Sequence, residues 1–559
     1  MALVRWGLWL LPTGIALYLS CNRSTPQNPP TEVAYVGDQV CASCHVDVYA
    51  AYQKSWKAHS LLPVTPALER IEDFSAPPAY DPYRNFYYWA RWEGDSLYIY
   101  EARLRGRDTL HLRRERVDFT IGSGHQTRSY LLWRNGYLYE APLTWYVAKK
   151  RWDLSPGYHD GQNSRFSREI QSSCLACHAS GFRPVPNTYN RYTEIGGPLG
   201  CESCHGPGSK HVQNPTEPAY HWRQWAVDRQ MDVCSRCHLE GITVQKRPHF
   251  YPGDTLARWA AIFLPEKADL GAFGIASHVE RLKLSKCSQL GQVSCLTCHH
   301  PHPTTAVPTY EARCQSCHTT GCKNPSHPTT GCVSCHMPRD TTIDIPHVRF
   351  TDHYIRVVRP EAQRPIANPP RLLCATEENP DSALVGYAYL KWHTEGSEAS
   401  ALPQALSILT RHPHPAASAQ ALYLMGRFQE ALPWTEKALQ GDSSLLLLEL
   451  KGYLLEAIGR HEEALNWWEN LAQKAPQHPD AQFRATVMSL QLGRLTPAAA
   501  YERFQKVLVL QPFNPQYQYN AGLAAYQMGR PDLARKHWTT AHQLDPDYDP
   551  PKKALAQLP

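Results

Sequence analysis

Seven times the chain spells Cys-x-x-Cys-His: Cys41-Ala-Ser-Cys44-His45, Cys174-Leu-Ala-Cys177-His178, Cys201-Glu-Ser-Cys204-His205, Cys234-Ser-Arg-Cys237-His238, Cys295-Leu-Thr-Cys298-His299, Cys314-Gln-Ser-Cys317-His318 and Cys332-Val-Ser-Cys335-His336. These motifs consume all but four of the 18 cysteines, leaving Cys21, Cys287, Cys322 and Cys374. Two thiols three apart on one turn add across the two vinyl groups of a haem, and the adjacent His becomes the proximal ligand of its iron. A zinc site draws on Cys pairs but has no need of His after every second Cys, and a disulfide framework gives no reason for an invariant spacing. The pattern therefore implies seven covalently attached c-type haems. A chain so constrained must fold around its cofactors, because covalent attachment lets a short peptide hold a large ring without a deep pocket.

The opposite face of each iron needs a sixth ligand. Between residues 37 and 360 there are 20 His, seven of them proximal (His45, His178, His205, His238, His299, His318 and His336), while Met is limited to Met231 and Met337. Met337 follows a proximal His directly and cannot cross to the other side. Bis-His ligation is the expectation, with lower potentials than His/Met ligation. The distal candidates are His59, His211, His278, His302, His347 and His353, with His125, His159 and His327 competing for the seventh iron.

The stretches Tyr35-Val-Gly-Asp-Gln-Val-Cys41, Cys201-Glu-Ser-Cys-His-Gly-Pro-Gly, Cys295-Leu-Thr-Cys-His-His-Pro-His and Cys332-Val-Ser-Cys-His-Met-Pro resemble the exported multihaem c-type cytochromes. The group is related to the tetrahaem cytochromes of nitrification and, more distantly, to hydroxylamine oxidoreductase. The resemblance implies haem pairs packed nearly in contact along an electron path, and it supports His211 and His302 as ligands. It covers most of residues 35–355, and the group holds both pure carriers and enzymes of nitrogen compounds, so it fixes the cofactor and not the reaction.

Residues outside the motifs set the architecture. The apolar run Trp6 to Ser20 is shorter than a membrane span, follows Arg5 and ends at Cys21 before a polar, Pro-rich stretch. It reads as a signal peptide (1–20), with Cys21 the acylated residue of an exported, membrane-anchored lipoprotein and 21–36 a flexible linker. The 37–360 segment is the haem domain. Within it, alternating stretches around Gly94-Asp95 and Asn135-Gly136 predict two β-hairpins in a small antiparallel insertion at about 80–145. Cys287 and Cys322 flank the fifth and sixth motifs and are placed to pair in an oxidising compartment, with Cys374 unpaired. After a linker at 361–381, Gly-Arg recurs at Gly426, Gly459, Gly493 and Gly529, and Pro476, Pro512 and Pro546 follow the same period. That spacing predicts tetratricopeptide repeats over 382–548, with a degenerate first repeat at 382–413.

The expected fold is mainly α: an irregular haem-packed N-terminal domain with the β insertion, then a C-terminal α-solenoid. The formal charge of +6 belongs to the bare chain. Removing Arg5 with the signal leaves +5, and seven haems with ionised propionates bring the mature chain to roughly −2 oxidised and roughly −9 reduced, which removes the support for a nucleic-acid partner. The basic run Arg103 to Arg116 is simplest read as neutralising propionates. The functional expectation is an electron carrier of periplasmic or cell-surface location, with no catalytic residue. Its partners would be redox proteins, held through the repeats, or a larger complex. The rival is an oxidoreductase with one open haem acting on a small nitrogen or sulfur compound.

Overall fold

The computed structural model describes residues 34–216, 222–247, 250–266, 271–291, 293–302, 309–320, 331–357, 370–396 and 398–558. The signal run, Cys21, Cys322 and His327 lie outside these residues, as does the first part of the linker, 361–369. No described helix is long and apolar enough to cross a membrane. The chain divides into two compact units, one made of the described residues of 240–271 and 360–464, the other of those of 28–239, 272–359 and 465–559.

In the first unit, strands Ile242–Gln245, Ala260–Pro265 and Leu372–Cys374 form an antiparallel sheet. Val244, Ala261 and Phe263 pack against Tyr387, Ala388 and Leu390 of helix Ser382–Gly396. Cys374 lies at the margin of this core as a free thiol. Helices Ala401–Arg411, Pro415–Leu424, Phe428–Leu439 and Leu445–Ala457 follow as antiparallel hairpins. Helix His461–Lys474 straddles the division between the units.

The Gly-Arg recurrence has a local cause. Gly426, Gly459, Gly493 and Gly529 all adopt φ between 69° and 80°, and the amide of each following Arg donates to a carbonyl five residues back, as Arg427 does to Leu422 and Arg530 to Ala525. This is the glycine-terminated helix end that satisfies otherwise orphaned carbonyls. In three of the repeats the Arg side chain then pairs with an acid in the next helix's first turn: Arg427 with Glu430, Arg460 with Glu463, Arg530 with Asp532. Gly makes the turn and Arg orients its exit.

The second unit is centred on two antiparallel sheets. Strands Ala79–Asp81, Phe86–Glu93, Ser96–Arg105 and Asp108–Arg116 form one. The other pairs Leu61–Pro63, Phe119–Ile121, Thr127–Arg134, Tyr137–Tyr146 and Arg168–Glu169 in that order, with Arg151–Leu154 added to Tyr137–Tyr146. Both expected hairpins are present, and Asn135 and Gly136 take φ of 53° and 89°, as a two-residue turn between twisted strands requires. The β region extends beyond the hairpins because short flanking strands, too brief to show alternation, complete the sheet edges. The two sheets share one aromatic core containing Phe86, Tyr88, Tyr130, Tyr139, Trp145 and Trp152.

Phe513, in the turn after helix Pro497–Leu510, belongs to the same core, its ring edge-on to Tyr139 at 5.3 Å. Around it, Asn135 donates to the Val509 carbonyl at 2.6 Å, Tyr137 to that of Gln477, and Arg103 grips Asp547 with two bonds of 2.8 Å. The turns and helix ends of the last repeats are what fasten to the sheets. Beneath the junction lies a buried polar knot: Glu101 accepts from Tyr88 and His111 at 2.9 Å each and from Arg165 in a bidentate pair, while Arg165 also reaches the Leu544 carbonyl. Arg103, Arg113, Arg114 and Arg116 each have a carboxylate of the chain as partner. Four of the six arginines of the basic run thus serve the sandwich and its junction, correcting for them the reading that the run neutralises propionates.

Candidate haem sites

All seven motifs lie in the second unit on single helical turns, in helices Asp38–Cys44, Ser172–His178, Glu202–His205, Val227–His238, Cys295–Cys298, Tyr310–Gln315 and Cys332–His336 or at their ends. In four of them the His amide donates to the carbonyl of the first Cys, at 2.8–2.9 Å for His45, His205, His299 and His318. That bond closes the turn and sets thiols and imidazole on one side.

The motifs also converge on one another. The thiols of Cys41 and Cys201, of Cys177 and Cys237, and of Cys234 and Cys295 are close electrostatic neighbours across motifs. Helix Val227–His238 packs against both Ser172–His178 and Cys295–Cys298, and Tyr310–Gln315 against Cys332–His336. Two carboxylates stitch the first motif to the third. Glu202, 8% exposed, accepts from the amides of Val36, Gly37 and Gly208 at 2.7–3.1 Å. Asp38 accepts from the Cys201 amide at 2.8 Å. Sequence reading passed over both acids; that Glu202 and Asp38 each sit within or beside a quoted motif is the one signal that pointed to them.

Imidazoles pair across these turns. His45 and His211 have ring centroids 6.0 Å apart, His205 and His302 also 6.0 Å, and His299 and His353 6.2 Å, with planes within 24° of parallel. Two metal–imidazole bonds of about 2.0 Å, with half a ring on either side, also place centroids roughly 6 Å apart, so the separation of each pair is compatible with one iron between two imidazoles. His278 is closer and edge-on, 4.7 Å from His238 and 4.5 Å from His353. The Nδ1 atoms of His238 and His278 are buried without a hydrogen-bond partner. Burial, with Lys57 nearby, pushes His238 down to about 4, and burial beside His238 pushes His278 down to about 3. Burial likewise lowers His178, His205, His299, His302 and His353. These rings are held neutral, the form that ligates metal.

The remaining distal candidates are placed otherwise. His59 directs Nδ1 to the Ser55 carbonyl at 3.0 Å, and its neighbour Ser60 donates to the carbonyl of His178. His125 stacks on Trp56 at 4.2 Å. His347, at φ 62°, is bonded through Nε2 to Asp153 at 2.7 Å and, with His159, lines a 290 Å³ cleft. Among the described residues, no three His, Cys, Asp or Glu side chains gather to hold a bare metal ion.

Residues 147–206 match the family of cytochrome c554 and c-prime. This segment contains the second and third motifs. Residues 515–548 match the tetratricopeptide repeat, and together the matches support a cytochrome with tetratricopeptide repeats. Among solved structures, MamA from Desulfovibrio magneticus RS-1 is 23% identical over 30% of this chain and 98% of its own, with a TM-score of 0.25. YrrB, described as a tetratricopeptide protein with an unusual peptide-binding site, is 18% identical over 31% of this chain and 82% of its own, at 0.22. The first repeat domain of Spaghetti (RPAP3), bound to an HSP90 peptide, is 18% identical over 20% of this chain and 88% of its own, at 0.19.

Proposed function

We propose that this chain is an exported heptahaem c-type cytochrome that carries electrons between redox partners, with its repeat helices binding a partner or building a larger assembly. The observation that carries the reading is the coincidence of seven Cys-x-x-Cys-His motifs with three imidazole pairs spaced for one iron each. The paired thiols of each motif would attach a haem and the adjacent His would ligate it. His211, His302 and His353 would complete the coordination at the first, third and fifth motifs, and His278 at the fourth. When bound, the haem iron supplies one-electron redox chemistry. The chain's own work is to hold these sites close, as the contact of His278 with His353 does, and to exclude competing ligands by burial. Export with lipid attachment at Cys21 belongs to the same proposal, because c-type haem is attached outside the cytoplasm.

The second reading, an oxidoreductase with one open iron, draws on His347, whose Nε2 is engaged by Asp153. Mass spectrometry and a pyridine haemochrome assay on protein from a cytochrome-competent host test the cofactor: seven covalent haems are expected, and none would refute it. A low-spin spectrum indifferent to nitrite, hydroxylamine and nitric oxide supports the carrier. A high-spin ferric signal that shifts with any of them supports the oxidoreductase.

A further inference from the structure

One buried carboxylate ties together three of the imidazoles assigned to irons above. Asp352 is 1% exposed and directly precedes His353. Its Oδ1 accepts from Arg281 Nε at 2.7 Å and from the Tyr354 amide at 3.0 Å, and its Oδ2 accepts from Arg281 and from Arg356 at 2.5 Å each. Arg281 lies on helix His278–Lys283, three residues beyond His278 and so on the same face of that helix. Arg356 brings in the seventh motif: its amide donates to the His336 carbonyl at 3.1 Å, and its carbonyl accepts from His336 Nδ1 at 3.0 Å.

The segment 352–356 is fastened along its length as well. The Asp352 amide donates to the Pro338 carbonyl at 2.9 Å, and the Ile355 amide to Ser285 Oγ at 2.8 Å, just beyond the helix of His278. His353 directs Nδ1 to the Thr351 carbonyl at 3.1 Å, as His336 does to that of Arg356. A carbonyl only accepts, so in both rings Nδ1 carries the proton and Nε2 keeps the lone pair that binds metal. His278 meets His353 edge-on at 4.5 Å. The bidentate pair of Arg281 and Asp352 sets that separation, because it joins a residue one helical turn from His278 to the residue beside His353. Both partners are out of water, where the planar fork of the guanidinium admits one arrangement.

We propose that Asp352 is a positioning residue for the irons of the fourth, fifth and seventh motifs, holding His278, His353 and His336 in one rigid frame at fixed mutual distances and angles. The inference rests on the haem reading above. Asp352 takes no part in ligation and acts through the rings it holds. Its charge also balances Arg281 and Arg356 beside those rings, so removing it favours the reduced state, which carries one more electron.

The test is electron paramagnetic resonance and redox titration of the full oxidised chain as wild type, Asp352→Asn, Arg281→Lys and Glu72→Gln, each with its haem count measured first. The low-spin signal of a ferric iron between two imidazoles follows the angle between their planes, and so reports orientation. Asp352→Asn removes the charge that both arginines grip, Arg281→Lys keeps every charge but loses the fork, and Glu72→Gln breaks a buried pair with Arg128 within the sheets. With seven haems retained, Asp352→Asn and Arg281→Lys should shift low-spin lines of the same irons, and Asp352→Asn should give the larger rise in potential. Glu72→Gln should leave lines and potentials unmoved. Lines superimposable on wild type in Asp352→Asn and Arg281→Lys overturn the proposal, even if the potential of Asp352→Asn rises, since the carboxylate would then act as a charge alone. A Glu72→Gln that moves the same lines equally also overturns it, because lost stability would explain the effect. If Asp352→Asn fails to mature, Arg281→Lys decides. A wild type without covalent haem removes the function itself, which is a separate outcome from seven haems with unmoved lines.

Discussion

Replacing Glu101 by Gln removes one negative charge from the polar knot beneath the last repeats and leaves Arg165 in place. Glu101 is fully buried and the Arg165 side chain only 6% exposed, so the freed guanidinium cannot reach water. The amide also turns one acceptor of Arg165, His111 or Tyr88 into a donor. Breaking a buried pair by removing one partner costs about 3–5 kcal/mol. With a urea m-value of roughly 2 kcal/mol per M, the unfolding midpoint of the second unit should fall by about 1.5–2.5 M. The assay is urea denaturation followed by far-UV circular dichroism, with limited proteolysis in 475–479 reporting release of the repeats from Tyr137. Glu101→Leu with Arg165→Met together should recover at least half of the loss, because a hydrophobic pair of similar volume replaces a buried ion pair at little cost. Burial alone would raise the Glu101 carboxyl, but the charge and hydrogen bonds of Arg165 and the bond to His111 hold it well below the usual carboxylate range. Its folded-state value is depressed, so its contribution is complete above about pH 4.3 and disappears only as pH falls through the folded value. Glu101→Gln should therefore flatten the acid limb of the stability profile. A midpoint within 0.5 M of wild type (about 1 kcal/mol), or a double variant no better than the single one, would refute the reasoning.

Glu202→Gln replaces one of two oxygens that accept three backbone amides, and should cost about 2–3 kcal/mol, read as earlier unfolding with altered spectra from the first and third motifs. Gly200→Ala should act on the same seam, since a Cβ there would lie 2.4 Å from Asp38 Oδ1, and loss of protection at the Cys201 amide in hydrogen exchange is the check. Gly529→Ala should cost about 1–2 kcal/mol by thermal denaturation through its φ of 77° alone, as no atom lies within 4 Å of the added Cβ. Gly441→Ala, in equally open space but without a positive φ, should be neutral or stabilising by about 0.5 kcal/mol. His211→Ala or His302→Ala should each convert one low-spin iron to high-spin in electron paramagnetic resonance while the covalent haem count stays the same.

What the sequence determined by itself was whatever rests on local spacing. Cys-x-x-Cys-His fits one helical turn and needs no distant partner, Gly-Arg closes a helix end wherever it occurs, and Asn135-Gly136 makes a tight turn from its own backbone freedom. Tertiary structure decided which separated groups meet. No periodicity links His299 to His353 or Cys177 to Cys237, and nothing in Tyr137 or Phe513 announces that the sheets and the turns of the last repeats share a core. Charge shows the difference most plainly. Six arginines between Arg103 and Arg116 form the more conspicuous cluster, yet four of them, Arg103, Arg113, Arg114 and Arg116, are spent on carboxylates of the chain, whereas Arg165, isolated in sequence, closes the buried knot on Glu101. A charge's role depends on the countercharge within a few ångströms in a low-dielectric interior, and that distance is set by the fold.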